Sequence, residues 1–343
     1  MSKLKKIEEI EKDLNAEKLE NIYLLYGEEE YLIETIINKI KKIFGECIKG
    51  INYILIDDTN INNIISDIET PAFGYEKKLI IVKNSGILKK EGKRKNIELS
   101  KIKERLNLYI KENIEIIKQS TIIVFVEEEA DVKQELYKTI DKLGTVCKFD
   151  FQNLAQLQKR LKSICNLYEV KISDYDLKYF IECAGTNMQN LINEIRKLIE
   201  YKGNGGEIVK EDIDKLTIKK LESVIFDLTD NLGKKETAKA LEVLKNLISQ
   251  KEPLQKILIT LYNHFKKIYI TKLAEKYKKD VATSLQLKPN QIFLVNKYKM
   301  QSKYFKEKDL NSILQDFRDL DYNYKNGTID LQIGLESVLC RYC

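Results

Sequence analysis

The sequence predicts an α/β domain with a parallel sheet, followed by two all-helical domains. Within residues 1–150, β-rich runs alternate with helical patterns, as is typical of a parallel sheet covered by helices on both faces. After about residue 151, apolar residues recur only at helical spacing. The turn cluster Lys202-Gly-Asn-Gly-Gly206 then ends a short helical segment. We therefore predict three domains, at 1–150, 151–215 and 216–343.

The first domain is predicted from five β-rich runs and the helical patterns between them. The predicted strands lie at 22–26, 53–56, 79–82, 121–126 and 145–149. The predicted helices lie at about 31–44, 60–69, 97–118 and 132–142. Five strands in this order fit the core of an AAA+ domain, a P-loop-like fold.

The turn after the first strand lacks the residues of a phosphate-binding loop. It contains Gly27-Glu28-Glu29-Glu30, whereas such a loop needs several glycines, a lysine for the phosphates and a Ser or Thr for Mg²⁺. The third strand is followed by Lys83-Asn84-Ser85 rather than by an acidic pair that could hold magnesium. The acidic run Glu127-Glu128-Glu129 follows the fourth strand, and we interpret it as a solvated helix entry. The predicted AAA+ core is therefore degenerate.

The helical domains show helix boundaries and apolar stripes. Ser173 followed by Asp176 predicts a helix start, and Gly185 predicts a helix end, within the shorter domain, which we interpret as a lid. The longer domain is predicted to be a helical bundle, because apolar residues follow i, i+3, i+4 spacing. These stripes run over 221–232, 254–268 and 310–324.

Composition argues against several classes of function. No apolar run approaches the roughly 20 residues of a membrane span, so we expect a cytoplasmic protein without a membrane partner. His264 is the only histidine, which argues against a histidine metal site or a Ser-His-Asp triad. The net charge of +6 permits contact with nucleic acid without requiring it. We expect no catalytic site, no metal and no cofactor.

Four stretches resemble the delta subunits of bacterial DNA polymerase III, in the same order and spacing. They are residues 23–32, 70–82, 184–198 and 319–327. The resemblance implies a degenerate AAA+ domain, a small helical lid and a C-terminal collar for oligomerisation. It also implies a component of the DNA polymerase III holoenzyme, a nucleotidyltransferase complex. Such a subunit binds and opens the sliding clamp for loading onto primed DNA during chromosomal replication, with no ATP hydrolysis of its own.

The resemblance places the clamp-binding site on a tip between the predicted helix at about 60–69 and the third strand of the first domain. The site residues are Thr70, Pro71, Ala72, Phe73, Gly74 and Tyr75. Proline and glycine predict a tight turn that presents an apolar pair. The residues alone leave open whether Phe73 projects or folds into its own core, and the resemblance favours clamp contact. Because family members often have a larger residue than Ala72, binding is expected to depend more on Phe73 and Tyr75.

The resemblance also implies further partners. The collar would join the clamp-loader ATPase subunits (tau/gamma) and the delta-prime subunit, with primer-template DNA inside the complex. Lys77, Lys78, Lys93 and Arg94 could contact phosphates, although a solvated surface is the simpler interpretation for each. The alternatives are an active AAA+ ATPase, which needs a lysine in the first turn, a freestanding DNA-binding adaptor protein, and a generic helical scaffold with an unrelated partner.

Overall fold

The described residues, 4–90 and 96–342 of a computed structural model, form two units, Met1–Phe151 and Gln152–Cys343. Within these described ranges, no helix is both long enough and apolar enough to cross a membrane.

The first unit is built on a parallel sheet with the strand order β2-β3-β4-β1-β5. The strands are β1 (Ile22–Tyr26), β2 (Tyr53–Ile56), β3 (Lys78–Lys83), β4 (Thr121–Glu127) and β5 (Thr145–Lys148). The helices are α1 (Ile7–Asn15), α2 (Glu30–Phe44), α3 (Ile64–Glu69), α4 (Ile97–Glu112), α5 (Ile114–Ser120) and α6 (Glu135–Leu143), and a 3-10 turn (Ile61–Asn63) precedes α3. All residues of β1 and β4 are buried, as expected for a parallel sheet covered on both faces.

The strand directions place the two candidate sites at opposite edges of this sheet. β1 lies between β4 and β5, and β3 lies between β2 and β4. Because the strands are parallel, the turns that follow β1, β3 and β4 all lie at the carboxyl edge. The segment that leads into β3 lies at the amino edge. The degenerate phosphate turn therefore lies at the carboxyl edge of the sheet, and the predicted tip lies at the amino edge.

Over residues 152–342, the second unit is helical apart from one short parallel pair of strands. Its helices are α7 (Leu154–Leu167), α8 (Asp174–Ala184), α9 (Met188–Lys202), α10 (Lys210–Leu216), α11 (Leu221–Gly233), α12 (Thr237–Ser249), α13 (Leu254–Lys276), α14 (Val281–Ser284), α15 (Val295–Tyr304), α16 (Glu307–Lys325) and α17 (Leu331–Arg341). A 3-10 helix (Pro289–Leu294) precedes α15, and the strand pair is β6 (Lys171–Ile172) with β7 (Glu207–Ile208). The apolar stripes of α11, α13 and α16 form one core, in which Phe265 packs against Phe305 and Phe317.

The predicted fold class, a parallel-sheet α/β domain followed by predominantly helical parts, is confirmed. The Ser173 hydroxyl accepts a hydrogen bond from the Asp176 amide at the start of α8, and Gly185 ends that helix at a φ of +82°. The division of the helical part at 215/216 stays a prediction.

Three details differ from expectation. The predicted helix at 97–118 is two helices, because the helical conformation is interrupted at Asn113. α1 was not predicted, although Ile7, Ile10 and Leu14 form its buried stripe. β6 and β7 contradict the expectation that strands stop after residue 151; each has two residues, too few to show a β period.

Candidate functional site

The predicted tip is a tight turn at the amino edge of the sheet. α3 ends at Glu69, and the Tyr75 amide donates to the Ala72 carbonyl across 3.1 Å. Gly74 has a φ of +79° at the third position of this turn, as a type II turn requires. No heavy atom lies within 4 Å of where a Gly74 Cβ would be, so glycine serves the backbone conformation there rather than packing.

Phe73 occupies the second position of the turn and points into solvent. Its side chain is 89% exposed, the highest value among the large hydrophobic side chains that are exposed in the described ranges. The flanking Pro71 and Gly74 are exposed as well, and Ala72 is half-buried. Burying an aromatic side chain of this kind stabilises a complex by roughly 2–3 kcal/mol. The tip therefore presents an apolar side chain that nothing within the described unit covers.

Tyr75 has a different position from Phe73, although both belong to the predicted site. It is half-buried, and its hydroxyl donates to Glu46 Oε2 across 3.2 Å. With Phe44 and Lys77 it lines a recess of about 400 Å³ beside the tip. Tyr75 therefore ties the far end of the turn to the body of the unit.

The lysines proposed for phosphate contact do not share one environment. Lys78 is buried, so the expectation that it is solvated is wrong. Its ammonium donates to the carbonyls of Asp67 and Thr70 below the tip. Lys77 is half-buried. Lys93 and Arg94 lie outside the described residues.

At the carboxyl edge, the turn after β1 uses its backbone amides within the protein. The Gly27 amide donates to the Glu127 carbonyl across 3.1 Å, and the Glu29 amide donates to the Phe149 carbonyl across 3.0 Å. A Cβ on Gly27 would lie 2.3 Å from the Phe149 carbonyl oxygen. Gly27 therefore permits close packing against the backbone of Phe149, just after β5, and these two amides are not directed at a ligand. A phosphate cradle needs such amides free.

The groove beside this turn is acidic. Its lining includes Glu30, Glu34, Glu127 and Glu128, and the lysine that lines it, Lys83, forms an ion pair with Glu34. This arrangement disfavours a triphosphate, because the carboxylates repel its charge and the ammonium is already paired.

The prediction that the acidic run 127–129 is a solvated helix entry is wrong for Glu127. It is the last residue of β4 and is buried, whereas Glu128 and Glu129 are exposed as expected. Its carboxylate accepts from the Ser85 hydroxyl across 2.7 Å and from the Gly86 amide across 3.3 Å. Burial raises the pKa of Glu127, although these hydrogen bonds act in the opposite direction. This carboxylate therefore fixes the loop after β3.

Comparison with known proteins finds one family in both halves of the chain. Residues 23–150 match the family described as DNA polymerase III, delta subunit, and residues 222–342 match the DNA polymerase III delta subunit, C-terminal domain. The chain is 26% identical over 336 residues to the DNA polymerase III subunit delta of Bacillus subtilis (strain 168), covering 96% of this chain and 94% of that protein.

A second relative and a solved structure are also similar along most of the chain. The probable DNA polymerase III subunit delta of Aquifex aeolicus (strain VF5) is 28% identical over 316 residues, covering 88% of this chain and 85% of that protein. The solved structure of the Bacillus subtilis DNA clamp loader delta protein superimposes with a TM-score of 0.75 at 24% identity. That match covers 98% of this chain and 99% of the solved chain, and it supports the fold.

Proposed function

The chain belongs to the DNA polymerase III delta subunit family, and from this premise we propose that it binds and opens the sliding clamp (beta subunit) for loading onto primed DNA. Membership makes it a clamp-loader subunit and a component of the polymerase III holoenzyme, with a role in replication. The finer proposal concerns which residues act, on what partner, and whether nucleotide is needed.

The observation that carries this proposal is the exposure of Phe73 on a turn tied to the body on both sides. Such a side chain suits an apolar pocket on a partner, because aromatic anchors in pockets dominate many interfaces. Thr70, Pro71, Ala72, Gly74 and Tyr75 would shape and support the anchor. Binding at this tip opens the clamp if the tip has higher affinity for the open form than for the closed ring.

We further propose that the subunit neither binds nor hydrolyses ATP. The amides of Gly27 and Glu29 donate to carbonyls of the same unit, and four carboxylates line the adjoining groove. The ATPase subunits (tau/gamma) would supply the nucleotide chemistry. The collar, 216–343, would join this subunit to them and to delta-prime, with primer-template DNA inside a cytoplasmic assembly.

The test is binding of the full chain to the sliding clamp of its own organism, with and without ATP and Mg²⁺. We expect a complex in both conditions, with affinities that agree within about twofold, because a ligand that does not bind exerts no coupling. The absence of a complex would contradict the clamp proposal. A larger nucleotide effect that Lys83→Ala abolishes would identify the acidic groove as a nucleotide site and favour the ATPase alternative.

The alternative of a DNA-binding adaptor protein can be tested with the same purified protein. It requires tight DNA binding without any partner, with an affinity that falls steeply as salt is added. The described structure offers no observation that favours this alternative over clamp binding.

A further inference from the structure

Lys78 is a charged side chain held in the interior of the first unit. It is the first residue of β3, pairs in register with Thr121 of β4, and is only 2% exposed. Lysine is almost never fully buried unless its ammonium has partners. Burial lowers the pKa of Lys78, so its position is unfavourable for the charge unless the surrounding groups compensate.

The partners of the ammonium are two backbone carbonyls, those of Asp67 and Thr70. The usual helical donor to the Asp67 carbonyl is the amide four residues later, and that residue is Pro71, which has no N–H. The helix also ends here, since Thr70 is extended with a ψ of 124°, as a residue before proline prefers. Lys78 therefore supplies a donor to carbonyls that the end of α3 leaves without a helical partner. A positive charge at the carboxyl end of α3 also interacts favourably with the helix dipole.

These two carbonyls lie where the chain leaves α3 to form the tip. Thr70 directly precedes Pro71, and Phe73 follows two residues later. The other side of the turn is tied through Tyr75 to Glu46. A turn fixed at both sides loses less conformational freedom when its aromatic side chain enters a pocket.

We infer that Lys78 is a positioning residue, which holds the base of the turn from inside the protein and so presents Phe73 to the clamp. This inference rests on the proposed role of Phe73. Lys78 itself does not touch the clamp, since it is covered by its own unit.

The test is a double-mutant cycle of Lys78→Met and Phe73→Ala, read as clamp affinity of the full chain. Met has a similar length but no donor and no charge. We expect Lys78→Met to weaken clamp binding about tenfold when Phe73 is present and less than about twofold when residue 73 is Ala, since coupled residues are non-additive. Lys138→Met, which removes an exposed lysine on α6, is the matched control and should leave clamp affinity unchanged.

Pro71→Ala provides an independent comparison and a safeguard if Lys78→Met does not fold. Alanine has an N–H and removes the restriction that favours an extended Thr70, so α3 can continue by one residue and the amide of residue 71 can reach the Asp67 carbonyl. Lys78→Met should then reduce both stability and clamp affinity less in this background. An equal reduction in both backgrounds would contradict the inference.

The outcomes separate the two claims. If Phe73→Ala weakens binding but Lys78→Met has no effect, or an effect that simply adds, the inference is wrong and the proposed function stands. If the wild type forms no complex with the clamp, both fail.

Discussion

Replacing Phe73 by aspartate is expected to weaken binding to the sliding clamp by at least about thirtyfold, or roughly 2 kcal/mol. The substitution puts a carboxylate where an apolar pocket would receive an aromatic ring, and the desolvation of that charge is not compensated. Folding should be unaffected, because Phe73 is 89% exposed in the described unit. Calorimetric titration of the full chain with the clamp measures the change directly.

Two variants control for this result. Phe73→Leu keeps an apolar side chain and should retain most of the affinity. Tyr175→Asp puts the same charge at another exposed aromatic residue, 74% exposed on α8, and should leave clamp binding unchanged. Equal affinity of the wild type and Phe73→Asp would move the contact to another surface.

Lowering the pH from 7 to about 5 is expected to reduce the free energy of unfolding of the helical unit by about 2 kcal/mol through His264 alone. His264 lies on α13, where its side chain is 4% exposed, and its ring packs edge-on against Phe226 at 4.5 Å between ring centroids. Its Nε2 lies 2.8 Å from Gln301 Oε1.

The hydrogen bonds of Gln301 define which ring nitrogen of this histidine donates. The Gln301 amide nitrogen donates to the Phe226 carbonyl and to Asp230 Oδ1, across 3.0 and 2.7 Å. Its oxygen is therefore the acceptor, and His264 donates to it through Nε2. Burial lowers the pKa of His264 to about 4 from its ordinary value of 6.5.

The sign of the pH effect follows from proton uptake. Between about pH 6.5 and 4, the unfolded chain binds a proton at residue 264 that the folded protein does not bind. This stabilisation is fully present above the pKa of His264 in the unfolded chain and is lost as the pH falls towards its pKa in the folded protein. The total loss is about 3 kcal/mol. Urea unfolding of wild type and His264→Gln at both pH values measures it. Identical pH dependence of the two proteins would contradict the buried neutral histidine.

The sheet could be predicted from sequence because its strands are uninterrupted apolar runs bounded by turn residues. The run 22–26 coincides with β1, and 53–56 coincides with β2. The predicted helix boundaries were less accurate where polar residues determine the helix ends. At Asn113, for example, one apolar pattern continues across two helices. The spacing of apolar residues indicates which face of a helix is buried, but it does not indicate where the helical backbone hydrogen bonds end.

The candidate site could likewise be predicted only in part. Pro71 and Gly74 predict the turn itself, because both restrict or permit particular backbone angles. The outward direction of Phe73 and the inward direction of Lys78 depend on tertiary contacts. A signal for Lys78 was present in the sequence, since a helix that ends before a proline leaves its last carbonyls without donors, and a lysine at the start of the next strand can supply one.

Clamp opening is tested most directly by measuring the release of closed clamps from circular DNA in the presence of this protein and without ATP. The wild type is expected to accelerate release strongly, and Phe73→Asp is expected to leave the spontaneous rate unchanged. Clamp binding by the wild type with no change in the release rate would show that the tip binds both clamp forms equally, and would contradict the opening mechanism.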